Sequence, residues 1–125
     1  MKFHHSDMRF RIFIRVGVHT VVQDGLADTG NNLTDGFSGR PVIIFGSNAL
    51  VELLGESPEQ EVKKMRGYHL LPYSTVSGGG LLSVFRADEV IIQNETTGDR
   101  RRIDTLIGVG PEQDFAIFNP HILSS

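Results

Sequence analysis

The chain contains no cysteine, and this absence removes several kinds of chemistry at once. Disulfide frameworks, thiolate nucleophiles and zinc sites built on cysteine are excluded. The formal net charge of -3 is too small to predict nucleic acid or an anionic membrane surface as a partner. The five histidines do not follow a metal-ligand spacing such as His-Glu-x-x-His. We therefore expect no metal, no cofactor and no nucleic acid.

Long hydrophobic runs are also missing. No apolar stretch approaches the roughly 18 residues that a transmembrane helix needs. The polar, basic start of the chain does not have the pattern of a signal peptide. We predict that residues 1–9 are a tail or an artificial addition, and that residues 10–123 form a single domain.

Glycine, by contrast, is plentiful. The 14 glycines lie mainly at turns between short apolar runs, which is typical of a chain with many short strands. The apolar runs and their alternation predict a mainly β domain. The predicted strands are Phe10 to Val16, Val18 to Val22, Val42 to Phe45, Leu70 to Val76, Leu81 to Ile92, Arg102 to Val109 and Phe115 to Phe118. A turn is predicted at Asp24-Gly25.

Two short helices are predicted between the strands. The first would be capped by Ser47 or Asn48 and would end at Gly55. The second has Ser57 as its N-cap, with Gln60 placed to complete a capping box.

Asp28-Thr29-Gly30 is the motif that carries chemistry. A catalytic aspartate needs a rigid turn at the end of a buried strand, and two apolar residues lead into this one. Thr29 can donate a hydrogen bond to a partner loop, and Gly30 allows a close approach of the backbone. The competing interpretation is an ordinary turn aspartate that accepts backbone N–H bonds.

Aspartic peptidase chemistry uses two carboxylates that share one proton. One takes a proton from water while the other protonates the peptide carbonyl oxygen. The chain has a single Asp-Thr-Gly triplet, so the second aspartate has to come from another copy of the chain. The sequence therefore predicts a homodimer with two Asp28 side chains on its two-fold axis.

Residues 10–33 resemble the opening of the retroviral-type aspartic peptidases: strand, glycine turn, strand, then Leu26-Ala27-Asp28-Thr29-Gly30. The resemblance implies a retropepsin-like closed barrel with a flap hairpin at residues 74–83. Thr29, Gly30 and Asn31 would support the active-site loop. The flap and its substrate contacts would be Val76, Ser77, Gly78, Gly79, Gly80, Leu81 and Leu82.

The chain is more closely similar to the sporulation sigma-E factor-processing peptidases of endospore-forming bacteria, the SpoIIGA type. Four stretches carry this resemblance: residues 28–33 with 39–42, residues 70–73, residues 85–90, and residues 116–120 with Leu123. Asparagine directly after the triplet is the most specific feature.

That resemblance implies an aspartic endopeptidase that cleaves the N-terminal pro-sequence of pro-sigma-E. Family members carry an N-terminal membrane domain at the sporulation septum, which responds to a forespore-derived signalling protein. The chain would then be the peptidase domain facing the mother-cell cytosol, without that membrane domain.

Two positions depart from the expected patterns. Gly36 stands where the SpoIIGA family usually has proline, and Asn119 falls where retroviral enzymes have glycine. The chain after Leu123 is short, so interleaved terminal strands like those of retroviral dimers would be weak or different. The alternative function is a non-catalytic β-barrel module that binds an extended peptide or protein partner.

Overall fold

The computed structural model describes residues 9–75 and 77–124. Nine strands, two short α-helices and two 3-10 helices, Val62–Lys64 and Pro120–Leu123, make up the regular structure of this part of the chain. The strands are β1 (Phe10–Val16), β2 (His19–Ala27), β3 (Val42–Phe45), β4 (His69–Thr75), β5 (Gly78–Phe85), β6 (Glu89–Asn94), β7 (Arg100–Arg102), β8 (Leu106–Val109) and β9 (Phe115–Phe118). The helices are α1 (Ser47–Leu54) and α2 (Pro58–Glu61). The predicted mainly β fold with short helices is confirmed.

All nine strands belong to one sheet, in the order β4-β5-β8-β3-β9-β2-β1-β6-β7. Most neighbours are antiparallel, but β2 with β9 and β3 with β8 are parallel pairs. These two parallel pairs lie at the centre of the sheet, side by side, where β3 also contacts β9. The centre therefore brings together strands that are far apart in sequence. The predicted tail, residues 1–9, lies outside the described residues except for Arg9.

Strand β1 shows the alternation that its sequence predicts. Phe10, Ile12 and Ile14 are buried, while the residues between them are exposed or half-buried. The predicted turn at Asp24-Gly25 is wrong, because β2 continues through both residues to Ala27. A glycine fits this strand because a Cβ on Gly25 would lie 2.9 Å from two side-chain carbons of Ile12. Here glycine permits close packing between neighbouring strands, and the chain does not turn.

Two predicted long strands are each divided into two. The run Leu81 to Ile92 breaks at residues 86–88, so that β5 pairs with β4 and β8 whereas β6 pairs with β1. The run Arg102 to Val109 breaks at residues 103–105, which separates β7 from β8. In both cases the chain turns a corner, because its two halves pair with strands in different parts of the sheet. Both corners contain polar residues, Arg86 and Asp88 in the first and Asp104 and Thr105 in the second.

The helices form where they are predicted, with different ends. Helix α1 has Gly46 as its N-cap, and no side chain caps it. Ser57 is the N-cap of α2, but its side chain makes no capping hydrogen bond, so the predicted capping box is absent. Gly55 ends α1 with φ of 122°, as its position predicts. No helix in the described residues is both long enough and apolar enough to cross a bilayer.

The apolar core has two parts. The larger cluster joins the faces of β1, β3, β6, β8 and β9 with α1. A smaller cluster of Val42, Leu71, Val84 and Leu106 lies beneath the β4–β5 hairpin, with Leu33 packed against it. The second cluster connects the base of the hairpin to the loop that follows Asp28.

Candidate active site

Asp28 follows β2 directly, at the centre of the sheet. Its backbone N–H donates to Phe118 O at 2.8 Å, which continues the parallel pairing of β2 with β9. Its Oδ1 accepts a hydrogen bond from Gly30 N–H at 2.9 Å, and its carbonyl accepts one from Asn31 N–H at 3.1 Å. The side chain of Asp28 is exposed. The turn therefore holds the carboxylate in a fixed place while leaving it open to a second molecule.

Asn119 supports this loop from behind. Its Nδ2 donates to Asn31 O at 2.9 Å and to Asn32 Oδ1 at 3.2 Å, while its Oδ1 accepts from His121 N–H at 2.9 Å. Asn119 has φ of -84°, so this position does not require the conformational freedom of a glycine. The residue expected to replace a glycine instead contributes three hydrogen bonds of its own.

Asn31 is held inside the loop. Its Oδ1 accepts from Leu33 N–H at 3.3 Å, and no described residue accepts a hydrogen bond from its buried Nδ2 atom. A buried donor left without an acceptor costs about 1–3 kcal/mol.

Asp28 lines an open groove with a volume of about 1040 Å³. The loop after β2 forms one wall, the β4–β5 hairpin forms the facing wall, and the ends of β3, β8 and β9 close the space between them. The residues lining the groove are Asp28, Gly30, Asn31, Asn32, Leu33, Thr34, Ile44, Glu59, Pro72, Tyr73, Ser74, Leu81, Leu82, Ser83, Val109, Gly110, Pro111 and Ile117.

The groove brings together part of the predicted site. Asp28, Gly30, Asn31, Leu81 and Leu82 all line it. Thr29, Ser77, Gly78, Gly79 and Gly80 belong to the same loop or hairpin but are not among its lining residues. Val76, a predicted substrate contact, lies outside the described residues.

The predicted hairpin is present, with β4 and β5 paired from His69↔Val84 to Thr75↔Gly78. Two of its glycines lie close to Tyr73. A Cβ on Gly79 would lie 2.9 Å from the carbonyl oxygen of Tyr73, and a Cβ on Gly80 would lie 2.9 Å from the Tyr73 hydroxyl. Gly78 has φ of 135°, a conformation that other residues rarely adopt. The glycine run thus allows the tight end of the hairpin and the close approach of Tyr73.

Asp35, after the candidate loop, is a buried carboxylate that the sequence did not single out for chemistry. Its Oδ2 accepts hydrogen bonds from Ser38 Oγ at 2.6 Å and Ser38 N–H at 3.2 Å. Its Oδ1 lies 3.2 Å from His69 Nε2, at the start of the hairpin. These hydrogen bonds, that of the Ser38 hydroxyl above all, lower the pKa of Asp35 against the opposing effect of burial. Asp35 therefore links the loop after the candidate active site to the base of the hairpin.

We expect Asp35→Asn to destabilise the protein by about 1–3 kcal/mol at pH 6, because a buried charged acceptor loses its partners. The folded pKa of Asp35 is lowered, so its carboxylate stabilises the fold above the ordinary value of about 3.9. That stability is lost as pH falls through the lower folded pKa. The free energy of unfolding of wild type should therefore approach that of Asp35→Asn as the pH is lowered from 6 to 3 and below. Urea unfolding across this range measures it.

Asp24→Asn is the matched control, since Asp24 is an exposed carboxylate on β2. It should change the free energy of unfolding by no more than about 0.5 kcal/mol. The role assigned to the Asp35 charge would be contradicted if the free energies of unfolding of wild type and Asp35→Asn differed by the same amount at pH 6 and at pH 3.

Gln23 and Gly46 connect β2 to the segment between β3 and α1. The sequence analysis does not predict this contact. Gln23 is buried, and its amide pairs with both backbone groups of Gly46, donating to the carbonyl at 3.0 Å and accepting from the N–H at 2.9 Å. The same Nε2 donates to Gln113 O at 3.3 Å. Gln23 is a polar residue at a buried position of β2, which is a signal visible in the sequence. Its partners Gly46 and Gln113 are far away in the sequence, so the pattern does not identify them. Within the described residues, no group of three or more His, Asp or Glu side chains is arranged to hold a metal ion.

The site and the fold define a mainly β chain with a rigidly held, exposed aspartate in a groove beneath a hairpin. The family model described as "Sporulation factor SpoIIGA" (Peptidase_U4) matches residues 1–114, so the chain belongs to this family of sporulation peptidases. The family identified from the sequence is thereby confirmed.

Among solved structures, the solution structure of the simian foamy virus (mac) protease is similar to this chain, with 12% sequence identity and a TM-score of 0.47. The alignment covers 93% of this chain and 91% of that chain. No curated protein sequence has a significant match.

Proposed function

We propose that this chain is an aspartic endopeptidase domain that acts as a homodimer and removes the N-terminal pro-sequence of pro-sigma-E during sporulation. The observation that carries the proposal is the position of Asp28. Its carboxylate is exposed, lines a groove of peptide-binding size, and is fixed by the Gly30 N–H. Membership of the SpoIIGA family supports a peptidase, and the Asp-Thr-Gly turn supports the aspartic class.

In the proposed mechanism, two Asp28 carboxyl groups share one proton and hold a water molecule between them. The ionised carboxylate takes a proton from this water as the water oxygen attacks the peptide carbonyl carbon. The protonated partner donates its proton to the carbonyl oxygen. The C–N bond then breaks as the leaving nitrogen takes up a proton. Because Gly30 N–H already occupies Oδ1, each aspartate keeps a fixed orientation during these transfers.

The proposed substrate is an extended peptide that lies between the hairpin and the Asp28 loop. Its backbone would pair with strand edges, as in other cases of β-strand addition. Leu81 and Leu82 from the hairpin and Ile117 from β9 provide apolar contacts for its side chains.

Exposed apolar side chains beside Asp28 support the homodimer. Leu26, two residues before Asp28, is 52% exposed, and Phe115 on the neighbouring strand β9 is 38% exposed. The parallel register pairs Leu26 with Ile117 and Asp24 with Phe115, so the exposed side chains lie near each other. A second copy of the chain that brings its own Asp28 to the axis would cover this apolar surface.

The dependence of activity on protein concentration tests the shared dyad. We expect pro-sigma-E processing to increase with the square of the concentration while the chain is mainly monomeric, and linearly once it is dimeric. The physical reason is that one chain supplies half of the two-carboxylate site. Sedimentation on the same samples gives the monomer and dimer populations.

First-power dependence in a strictly monomeric sample would refute the dyad. No cleavage at any concentration, together with binding of the substrate peptide, would favour the alternative peptide-binding module. In a longer family protein, a membrane domain would raise the effective concentration of the two peptidase domains, and a forespore-derived signal acting through it would control their association.

A further inference from the structure

A second carboxylate in the groove has no role in the proposed mechanism. Glu59, on α2, lines the groove, and its Oε2 accepts a hydrogen bond from Ser83 Oγ at 3.3 Å. Ser83 is buried on β5, with 8% of its surface exposed, so its hydroxyl is a donor in a fixed place. The carboxylate of Glu59 is thereby restrained at the groove wall while its side chain remains exposed.

The groove is negatively charged. Asp28 and Glu59 are the ionisable acids that line it, and no described Lys, Arg or His is among the lining residues. Nor does any basic side chain of the described residues form an ion pair with Glu59. The nearby lysines have other contacts, Lys63 with Gln60 and Lys64 with Glu61. The charge of Glu59 is thus available to a molecule that enters the groove.

We propose that Glu59 determines substrate specificity by selecting a lysine or arginine side chain in the bound peptide. This inference rests on the proposed peptidase function. The aliphatic part of such a side chain can pack on apolar groove residues such as Leu82, while its cationic end reaches Glu59. An acidic side chain at the same place would meet a like charge that no lining cation offsets.

A homodimer carries two copies of this subsite. Since each chain contributes one Glu59, the two carboxylates are related by the two-fold axis that relates the two Asp28 residues. The subsites therefore lie at equivalent distances on the two sides of the cleaved bond. A lysine or arginine on either side of that bond can therefore bind to one of the two Glu59 carboxylates.

The test uses peptides that are identical except for Lys, Met or Glu at one position, scanned along both sides of the cleaved bond. For the wild type, kcat/KM should be about fivefold higher with Lys than with Met at the position that reaches Glu59. Glu59→Gln should remove this preference, and Glu59→Lys should reverse it in favour of Glu. Gln keeps an acceptor for Ser83, so the groove wall should be unchanged.

Glu56→Gln is the control, because Glu56 is exposed in the same segment but does not line the groove, and it should keep the Lys preference. If Glu59→Gln cleaves the peptides and keeps the Lys preference, the specificity role is overturned while the peptidase function stands.

Binding separates failure of the subsite from failure of catalysis. Fluorescence anisotropy with the same peptides, labelled, measures the preference of wild type and Glu59→Gln without any cleavage. If the wild type cleaves nothing, the proposed peptidase function fails, and a Lys preference in binding that is lost in Glu59→Gln still supports the subsite. Equal binding of the Lys and Glu peptides by both proteins refutes it.

Discussion

Asp28→Asn should reduce cleavage of pro-sigma-E by at least about 1000-fold, because the site loses the group that accepts and donates the proton. The fold should not change. Asp28 is exposed, and an asparagine Oδ1 can accept the same hydrogen bond from Gly30 N–H that the carboxylate accepts at 2.9 Å. The measurement is the rate of pro-sigma-E processing at equal dimer concentration, with unfolding curves of both proteins as the check on stability.

Asp24→Asn serves again as the control, since Asp24 lies on β2, four residues before Asp28, and does not line the groove. It should process pro-sigma-E at the wild-type rate. Processing by Asp28→Asn at close to the wild-type rate would show that Asp28 is not the catalytic carboxylate.

Gly46→Ala should destabilise the protein by roughly 3 kcal/mol, at the upper end of overpacking effects. A Cβ at this position would lie 2.2 Å from the carbonyl oxygen of Gln113 and 2.8 Å from the Gln23 amide nitrogen. The neighbour is backbone, so it cannot rotate away as a side chain would. Thermal unfolding should show a melting temperature about 10 °C or more below that of the wild type.

The same change should also lower activity. Gly46 lies between β3 and α1, and the next residue, Ser47, donates its N–H to Pro111 O at 2.9 Å. Pro111 lines the groove, so a displaced Gln113 segment alters the groove wall.

Gly36→Ala is the matched control for Gly46→Ala. A Cβ on Gly36 would meet nothing within 4 Å, and Gly36 is not among the glycines with positive φ. Gly36→Ala should change the free energy of unfolding of the protein by no more than about 0.5 kcal/mol. Equal melting temperatures for wild type and Gly46→Ala would show that the Gln113 segment moves at little cost.

Local signals in the sequence were sufficient for the individual elements. Alternation of apolar residues placed β1, a short buried run placed β3, and the glycine run placed the β4–β5 hairpin. Each of these features depends on residues that are close together in the sequence, so a short stretch of sequence is enough to predict it. The Asp-Thr-Gly triplet was located in the same way, and the family assignment followed from the residues around it.

Elements that depend on distant partners were not predictable. Asp24 and Gly25 pair with β1 as well as with β9, whereas Leu26 and Ala27 are in β2 through their parallel pairing with β9, about 90 residues later in the chain. The corners at residues 86–88 and 103–105 exist because the two halves of each predicted strand join different neighbours. Strand pairing of this kind is set by the whole sheet, and the pattern within one strand does not specify which strand is its partner.

The sequence by itself determined the mainly β class, the hairpin and the position of the candidate aspartate. Only the tertiary structure showed that Asp28 shares a groove with Glu59 on α2, that Asn119 supports the loop, and that Asp35 connects this loop to the hairpin through His69. The physical reason is that a site is defined by distances between side chains on separate elements. Those distances are fixed by packing and by hydrogen bonds between residues remote in the sequence, such as Asn119 with Asn31 and Gln23 with Gly46.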